Sequence, residues 1–175
     1  MNNILIVPTA LRPGANSTRV ARALEGLLAD AGASVTVFDS SSIPLFGSVA
    51  RDDSPEILAY RDAVSGADAV VWAVPTYHNE MPGSAKNALD HIDPGSLGGT
   101  LHAVVGVAAG SSFPGAVKFA ACLRFLGGRL PLNDVFIGDI RNKWPQGETT
   151  LPEALAAQLD AFAKQLNEAV ETAKA

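Results

Sequence analysis

One cysteine, Cys122, occurs among 175 residues. No intrachain disulfide can form, and the chain fits a reducing compartment. Basic runs are also missing: 13 Lys and Arg face 18 Asp and Glu, a net charge of −5. That balance argues against a nucleic-acid partner. No apolar stretch approaches the roughly 20 residues of a membrane span. The opening Met1-Asn2-Asn3-Ile4-Leu5-Ile6-Val7-Pro8 lacks the cationic region of a secretory signal. The expectation is a cytoplasmic protein with no membrane partner. Sequence patterns for several chemistries are absent as well: G-x-x-x-x-G-K-[ST], a strand-linked G-x-G-x-x-G, G-x-S-x-G and H-E-x-x-H. His78, His91 and His102 show no metal-ligand spacing. NTPase, Rossmann-type dehydrogenase, serine hydrolase and zinc hydrolase readings all lose support.

What is present is apolar and periodic. Hydrophobic residues make up 47% of the chain, enough for one domain over residues 1–175 with a substantial core. Short runs with a β-branched bias at Asn3 to Val7, Ala33 to Phe38, Ala69 to Val74, Leu101 to Ala108 and Leu130 to Ile137 read as strands. Helical spacing separates them. It appears at Val20, Leu24, Leu27 and Leu28, at Ile57, Tyr60, Arg61 and Val64, after Pro82, and at Ala116, Ala120, Leu123 and Leu126. A last helix is expected after Thr150, where Thr150-Leu151-Pro152-Glu153 has the form of a capping box and Leu155, Leu159, Phe162, Leu166 and Val170 form a stripe. Strict β-α alternation implies an α/β three-layer sandwich, a parallel sheet with helices on both faces. The expected arrangement is flavodoxin-like, order 2-1-3-4-5, with a ligand where the winding reverses between strands one and three.

The stretch from Ala69 to Ile92 organises the rest. Pro75 ends a fully apolar strand and turns the chain out at Thr76-Tyr77-His78-Asn79, and Pro82 opens a helix expected to stop at Asp93-Pro94. The loop after strand one, Thr9 to Arg19, places short hydroxyl side chains at a helix start near Ser17 or Thr18. Free amides and the positive end of the helix dipole suit a phosphate monoester there, with Arg12 and Arg19 as possible charged partners. An ordinary solvated N-cap is the plainer reading.

Pro75-Thr76-Tyr77-His78-Asn79, with Met81-Pro82-Gly83-Ser84-Ala85-Lys86-Asn87-Ala88-Leu89-Asp90, resembles the P-x-Y-N…x-P-G-x-L-K-N-A-L-D signature of the NADPH-dependent FMN reductase family. His78 is one residue more than the tightest form of that signature, and Ala85 stands where leucine is usual. Thr9, Arg12, Ser17 and Thr18 match the family's G-S-x-R-x…S loop, with Pro8 and Thr9 replacing its glycine and serine. The resemblance implies a flavodoxin-like oxidoreductase that binds FMN and uses NADPH or NADH. Thr9, Arg12, Ser17 and Thr18 would hold the FMN phosphate. Pro75, Thr76, Tyr77, His78 and Asn79 would lie against the isoalloxazine, with backbone amides at its polar edge, and Gly110 and Ser111 would form a third contact. No protein acid or metal is required, and His78 reads as a side chain near the substrate or dimer entrance.

The same resemblance implies a homodimer or homotetramer, acceptors such as free flavin or a quinone, and a flavin-dependent monooxygenase as a further partner. Lys86 and Asp90 pair either within their helix or between subunits, and Cys122 reads as core. Arg12, Arg124 and Arg141 are each candidates for a nicotinamide 2′-phosphate. The loops Ser40 to Asp53 and Gly138 to Thr149 line an entrance or a subunit contact, or are plain surface. Two rivals stand beside the reductase: a non-enzymatic flavodoxin-type electron carrier and a flavin-binding regulatory module.

Overall fold

The computed structural model describes residues 1–47, 54–93, 97 and 99–175. Five strands, β1 (Asn3–Pro8), β2 (Ser34–Val37), β3 (Ala69–Pro75), β4 (Leu101–Val107) and β5 (Val135–Ile137), form one sheet in the order β2-β1-β3-β4-β5, every pair parallel. The helices are α1 (Asn16–Asp30), α2 (Pro55–Ser65), α3 (Gly83–Asp90), α4 (Pro114–Phe125), the short α5 (Ile140–Lys143) and α6 (Glu153–Lys174). This is the flavodoxin-like arrangement that the alternation implies.

The strand side chains sort by parity, as a two-layered core demands. Ile4, Ile6, Val71 and Ala73 pack with α1 and α6, through Val20, Leu24, Leu159 and Phe162. Leu5, Val7, Val70, Trp72 and Val74 pack on the other face with α2, α3 and α4, through Tyr60, Leu89, Phe119 and Leu123. Each of the larger buried side chains contributes about 1.5–3 kcal/mol by leaving water. β3 is buried at every position, so its carboxyl end is set by neighbours on both faces and both sides. Gly106, next to the last residue of β4, lets α4 come close: a Cβ there would lie 2.8 Å from the Ala116 Cβ and 2.9 Å from the Phe136 ring.

Four elements differ from the sequence expectation; among them α3, expected to run to Asp93-Pro94, ends at Asp90. β5 begins at Val135, not at residue 130. The chain touches the sheet once at Arg129, opposite Leu101, and then leaves it, because Pro131 has no N–H to donate and Asn133-Asp134 disfavours a ladder. The Thr150 capping box does not form. Pro152 holds an extended ψ of 139° and α6 starts only at Glu153, which leaves the Thr150 hydroxyl too far ahead to reach the first amides. α1 begins at Asn16, ahead of Ser17 and Thr18, with Ala15 as its cap. Cys122 is half-buried, packed on the core at one side and lining a groove between α3 and α4 on the other. Pro94 and residues 48–53 of the Ser40 to Asp53 loop lie outside the described residues. No described helix is long and apolar enough to cross a membrane.

His102 sits inside the second core layer, its Nδ1 accepting from the Trp72 indole N–H at 3.2 Å. Burial penalises the charged ring and pulls its pKa down to about 4. The unfolded chain therefore binds the proton first. Stability is complete above pH ~6.5, falls as pH drops towards 4 and levels off below, a loss of about 3 kcal/mol at ~1.4 kcal/mol per pKa unit. Urea unfolding across this window is expected to show that loss, and His102→Gln, whose amide oxygen can still accept from Trp72, is expected to shrink it. Identical pH slopes for the two proteins would refute the assignment.

Candidate functional site

The carboxyl ends of β1, β3, β4 and β5 open onto a cavity of about 70 Å³, bounded by Arg12, Ser17, Thr76, Tyr77, Ala108 and Arg141. β1 and β3 lie side by side, yet α1 leaves on one face and α3 on the other, so their loops part and leave a crevice. At the β1 side the first intrahelical bond of α1 runs from the Arg19 amide to the Ala15 carbonyl at 3.0 Å. The amides of Asn16, Ser17 and Thr18 thus have no helical acceptor, and no acidic residue in the first turn competes for the positive end. The hydroxyls of Ser17, Thr18 and Thr76 are buried and have no hydrogen-bond partner among the described residues. Leaving such groups unsatisfied costs about 1–3 kcal/mol each. Ser17 and Thr76 border this cavity, with Thr18 beside them on the first turn of α1; the orphan hydroxyls, the free amides and Arg12 and Arg141 exposed at the rim make a cradle for a tetrahedral anion.

Thr9 lies beneath this cradle. It is fully buried, and both its amide (3.0 Å) and its hydroxyl (3.2 Å) donate to the Ala73 carbonyl, which ties the two strand ends together. Its own carbonyl accepts from the Ser84 hydroxyl at the start of α3. Pro75 is the buried last residue of β3. Beyond it the chain makes a two-residue reversal: Tyr77 and Glu80 exchange both backbone hydrogen bonds at 2.9 Å, and His78 and Asn79 take φ values of 49° and 65°. That is the geometry of a type I′ turn, and Asn at one of its left-handed positions suits it.

The turn settles which amides are available. The Thr76 amide donates to the Val107 carbonyl and the Tyr77 amide to Glu80, so only His78 and Asn79 retain free N–H groups in this loop. All three side chains from Tyr77 to Asn79 are exposed. The turn is also held from behind. Glu80 pairs with Lys118 of α4, an interaction that lowers the Glu80 pKa, and its Oε1 accepts from the Met81 amide. A Cβ on Gly115 would lie 2.5 Å from the Met81 nitrogen and 2.6 Å from the Glu80 carbonyl carbon. No residue but glycine fits there. Gly110 and Ser111 are exposed after β4, and the Gly110 carbonyl accepts from the Asp139 amide at 3.0 Å, so the loops after β4 and β5 are joined.

Two arginines go elsewhere. The Arg19 guanidinium lies 4.0 Å above the Trp144 ring and donates to Asn16 Oδ1 and to the carbonyls of Trp144, Pro145 and Glu148. Its hydrogen-bonding capacity is spent on strapping the segment after α5 onto α1, and it is unavailable to an anion in the cradle. Arg124 closes α4, which runs back along the sheet, so it lies at the amino edge near Asp134, opposite the cradle. It is no partner for a phosphate at the strand ends. Sequence reading missed Gln146, which donates to Asn16 Oδ1 at 2.7 Å and to the Gly14 carbonyl at 3.2 Å and so fixes the loop that Arg12 stands on. Nothing in its local sequence signals that contact. Lys86 and Asp90 pair within α3. His91 is buried and its Nε2 donates to the Pro44 carbonyl at 2.9 Å, while Asn87 grips Pro44 and Phe46 from the same helix.

Comparison with known proteins places these features in context. The family model for NADPH-dependent FMN reductase matches residues 2–125. A 2-hydroxy-1,4-benzoquinone reductase from a Burkholderia species is 30% identical over 121 residues, 62% of this chain and 66% of that protein. The NADPH-dependent FMN reductase ArsH of Shigella flexneri is 30% identical over 129 residues, 71% of this chain and 49% of its own length. The matched stretch thus spans about half to two thirds of these relatives. The structure of FerB, a flavoenzyme NAD(P)H:(acceptor) oxidoreductase from Paracoccus denitrificans, superposes with a TM-score of 0.83 over 98% of both chains at 19% identity, a likeness of fold.

Arg19→Ala removes a stacked cation and its hydrogen bonds, and a loss of about 1–3 kcal/mol in stability is expected. Amide hydrogen exchange over residues 144–148 is expected to lose protection while α2 keeps its own. Unchanged exchange in that segment would show that Arg19 is not its strap.

Proposed function

Because the chain belongs to the NADPH-dependent FMN reductase family, we propose that it is an FMN-dependent NAD(P)H oxidoreductase that passes hydride from nicotinamide to flavin N5 and onward to free flavin, a quinone or a similar acceptor. The observation that carries this reading is the set of buried, unpartnered hydroxyls of Ser17, Thr18 and Thr76 around the open end of α1. They suit the oxygens of a phosphate monoester. Ser17 and Thr18 would hold the FMN phosphate with the amides of residues 16–18, and Arg12 and Arg141 would neutralise it. Thr9 acts from below by fixing β1 to β3. The amides of His78 and Asn79 supply donors for the polar edge of the ring, and the exposed Tyr77, Gly110 and Ser111 border it. FMN, when bound, supplies the electron-accepting ring. The chain's task is to hold it, present fixed dipoles to its polar edge and leave one face open to nicotinamide.

The carrier alternative needs aromatic side chains on both faces of the ring. Tyr77 is exposed, whereas Phe113, the second candidate, is stacked on Phe136 at 4.8 Å between ring centroids. This favours a reductase. One flavin-binding domain over residues 1–175 is our reading, since β5 and α6 complete the sheet and core beyond the family match. A homodimer through α3 and α4 follows from the apolar groove between them and from Val117 and Phe125, 52% and 88% exposed on one face of α4. A homotetramer and a flavin-dependent monooxygenase as recipient of the product are further possibilities of the same reading, in the cytoplasm.

Anaerobic mixing of the protein with FMN and NADPH, then NADH, is expected to bleach the oxidised-flavin absorbance. The double variant Ser17→Ala, Thr18→Ala is expected to weaken FMN binding about tenfold or more, at ~1.4 kcal/mol per tenfold. Replacing Tyr77 and Asn79 should cost more turnover than replacing His91. FMN that binds as tightly to the double variant as to the parent would sink the cradle assignment.

A further inference from the structure

The loop that carries Arg12 and the segment after α5 are two reverse turns clasped by one side chain. In Arg12-Pro13-Gly14-Ala15 the Ala15 amide donates to the Arg12 carbonyl at 3.1 Å, with Pro13 second and Gly14, at a φ of 67°, third. In Pro145-Gln146-Gly147-Glu148 the Glu148 amide donates to the Pro145 carbonyl at 3.3 Å, and Gly147, at a φ of 90°, is third. A positive φ at the third position is what a type II turn requires, and glycine supplies it at little steric cost. Arg19 fastens the second turn by donating to the carbonyls of Pro145 and Glu148, on either side of Gln146. The exposed Gln146 side chain therefore starts from a fixed base. Its carboxamide nitrogen carries two hydrogens and meets two acceptors, Asn16 Oδ1 at 2.7 Å and the Gly14 carbonyl at 3.2 Å. One bond lands on the turn of Arg12 and the other on the first residue of α1. Asn16 Oδ1 also accepts from Arg19 Nη1 at 3.2 Å, so two donors hold that oxygen.

We propose that Gln146 is a positioning residue of the anion cradle, which keeps the first-turn amides of α1 open by holding the Asn16 carboxamide aside and so sets the preference for a phosphorylated flavin over the same flavin without its phosphate. Asn16, with Arg12 and Ser17, borders the cavity, whereas Gln146 does not. An asparagine oxygen left to itself takes a nearby backbone amide, commonly the one two residues on. For Asn16 that is the amide of Thr18, one of the three with no helical acceptor. An oxygen there would cap the helix from within and compete with an incoming anion. Held by Gln146 and Arg19 instead, it need not be displaced when the anion arrives, and the cost of binding falls accordingly. Gln146 lies beyond residue 125, where the family match ends, so a cradle built within the matched stretch is completed by a part of the chain outside it. The inference rests on the flavin reading above for the identity of the anion.

The test uses the full chain and Gln146→Met, which keeps the length and neutrality of the side chain and removes its two donors. Calorimetric Kd values for FMN and riboflavin are compared with the parent. FMN is expected to weaken about five- to tenfold while riboflavin stays within about twofold, a split that a general loosening of the fold would not produce. The same substitution is then made on Asn16→Ala, which has no carboxamide to release, and there its effect on FMN is expected to fall to about twofold or less. An unchanged FMN Kd, an equal loss for FMN and riboflavin, or a full loss persisting in the Asn16→Ala background would each overturn the assignment. Failure of the parent to bind FMN would instead sink the flavin reading. Inorganic phosphate, followed through the amide NMR shifts of residues 16–18, would then report on the clasp by itself: weaker binding to Gln146→Met supports it, and equal binding, or none to the parent, overturns it.

Discussion

The whole site depends on the parallel pairing of β1 with β3. Register along that pair brings Pro8 opposite Ala73, and Thr9 closes it by giving both its amide and its hydroxyl to one carbonyl. With the strand ends locked together, two loops that leave on opposite faces are forced to begin a few ångströms apart and then diverge. Ser17 and Thr18 come from one, Thr76 from the other, and their buried hydroxyls have no partner among the described residues. The binding energy of an anion there is in effect prepaid by folding.

Much of this architecture is legible from the chain alone, for a definite reason. β1, β3 and β4 are buried on both faces over nearly their whole length, so apart from Asn3 and His102 their residues are apolar and can be read without knowing their neighbours. The apolar run from Leu130 has the composition of a strand, yet β5 starts only at Val135 because Pro131 lacks the donor a ladder needs. The capping box failed for a similar reason: four letters matched, but Pro152 kept the backbone extended for longer than the pattern assumes. The stripe of α6 survived because burial of Leu155, Leu159, Phe162, Leu166 and Val170 tolerates a shifted start.

At the site, the short side chains were easier to read than the long ones. Ser17, Thr18 and Thr76 reach only what lies beside their own backbone, so the fold class alone places them. A guanidinium reaches much further. Arg19 finds its acceptor 125 residues away at Trp144, and Arg124 sits at the wrong edge, facts that no local pattern encodes. Amides behave in the same way. In the sequence Thr76 and Tyr77 are as available as His78 and Asn79; the turn type assigns the hydrogen bonds of the first two.

Gly115 gives the fold one more property. With no side chain between them, the first turn of α4 bears directly on the backbone of the Tyr77–Glu80 reversal, and the Glu80–Lys118 pair fastens the same two elements from outside. Helix and turn are therefore fixed to one another at two points. A body packed on the outer face of α4, a second subunit included, would bear on a helix seated directly against the turn that carries the free amides.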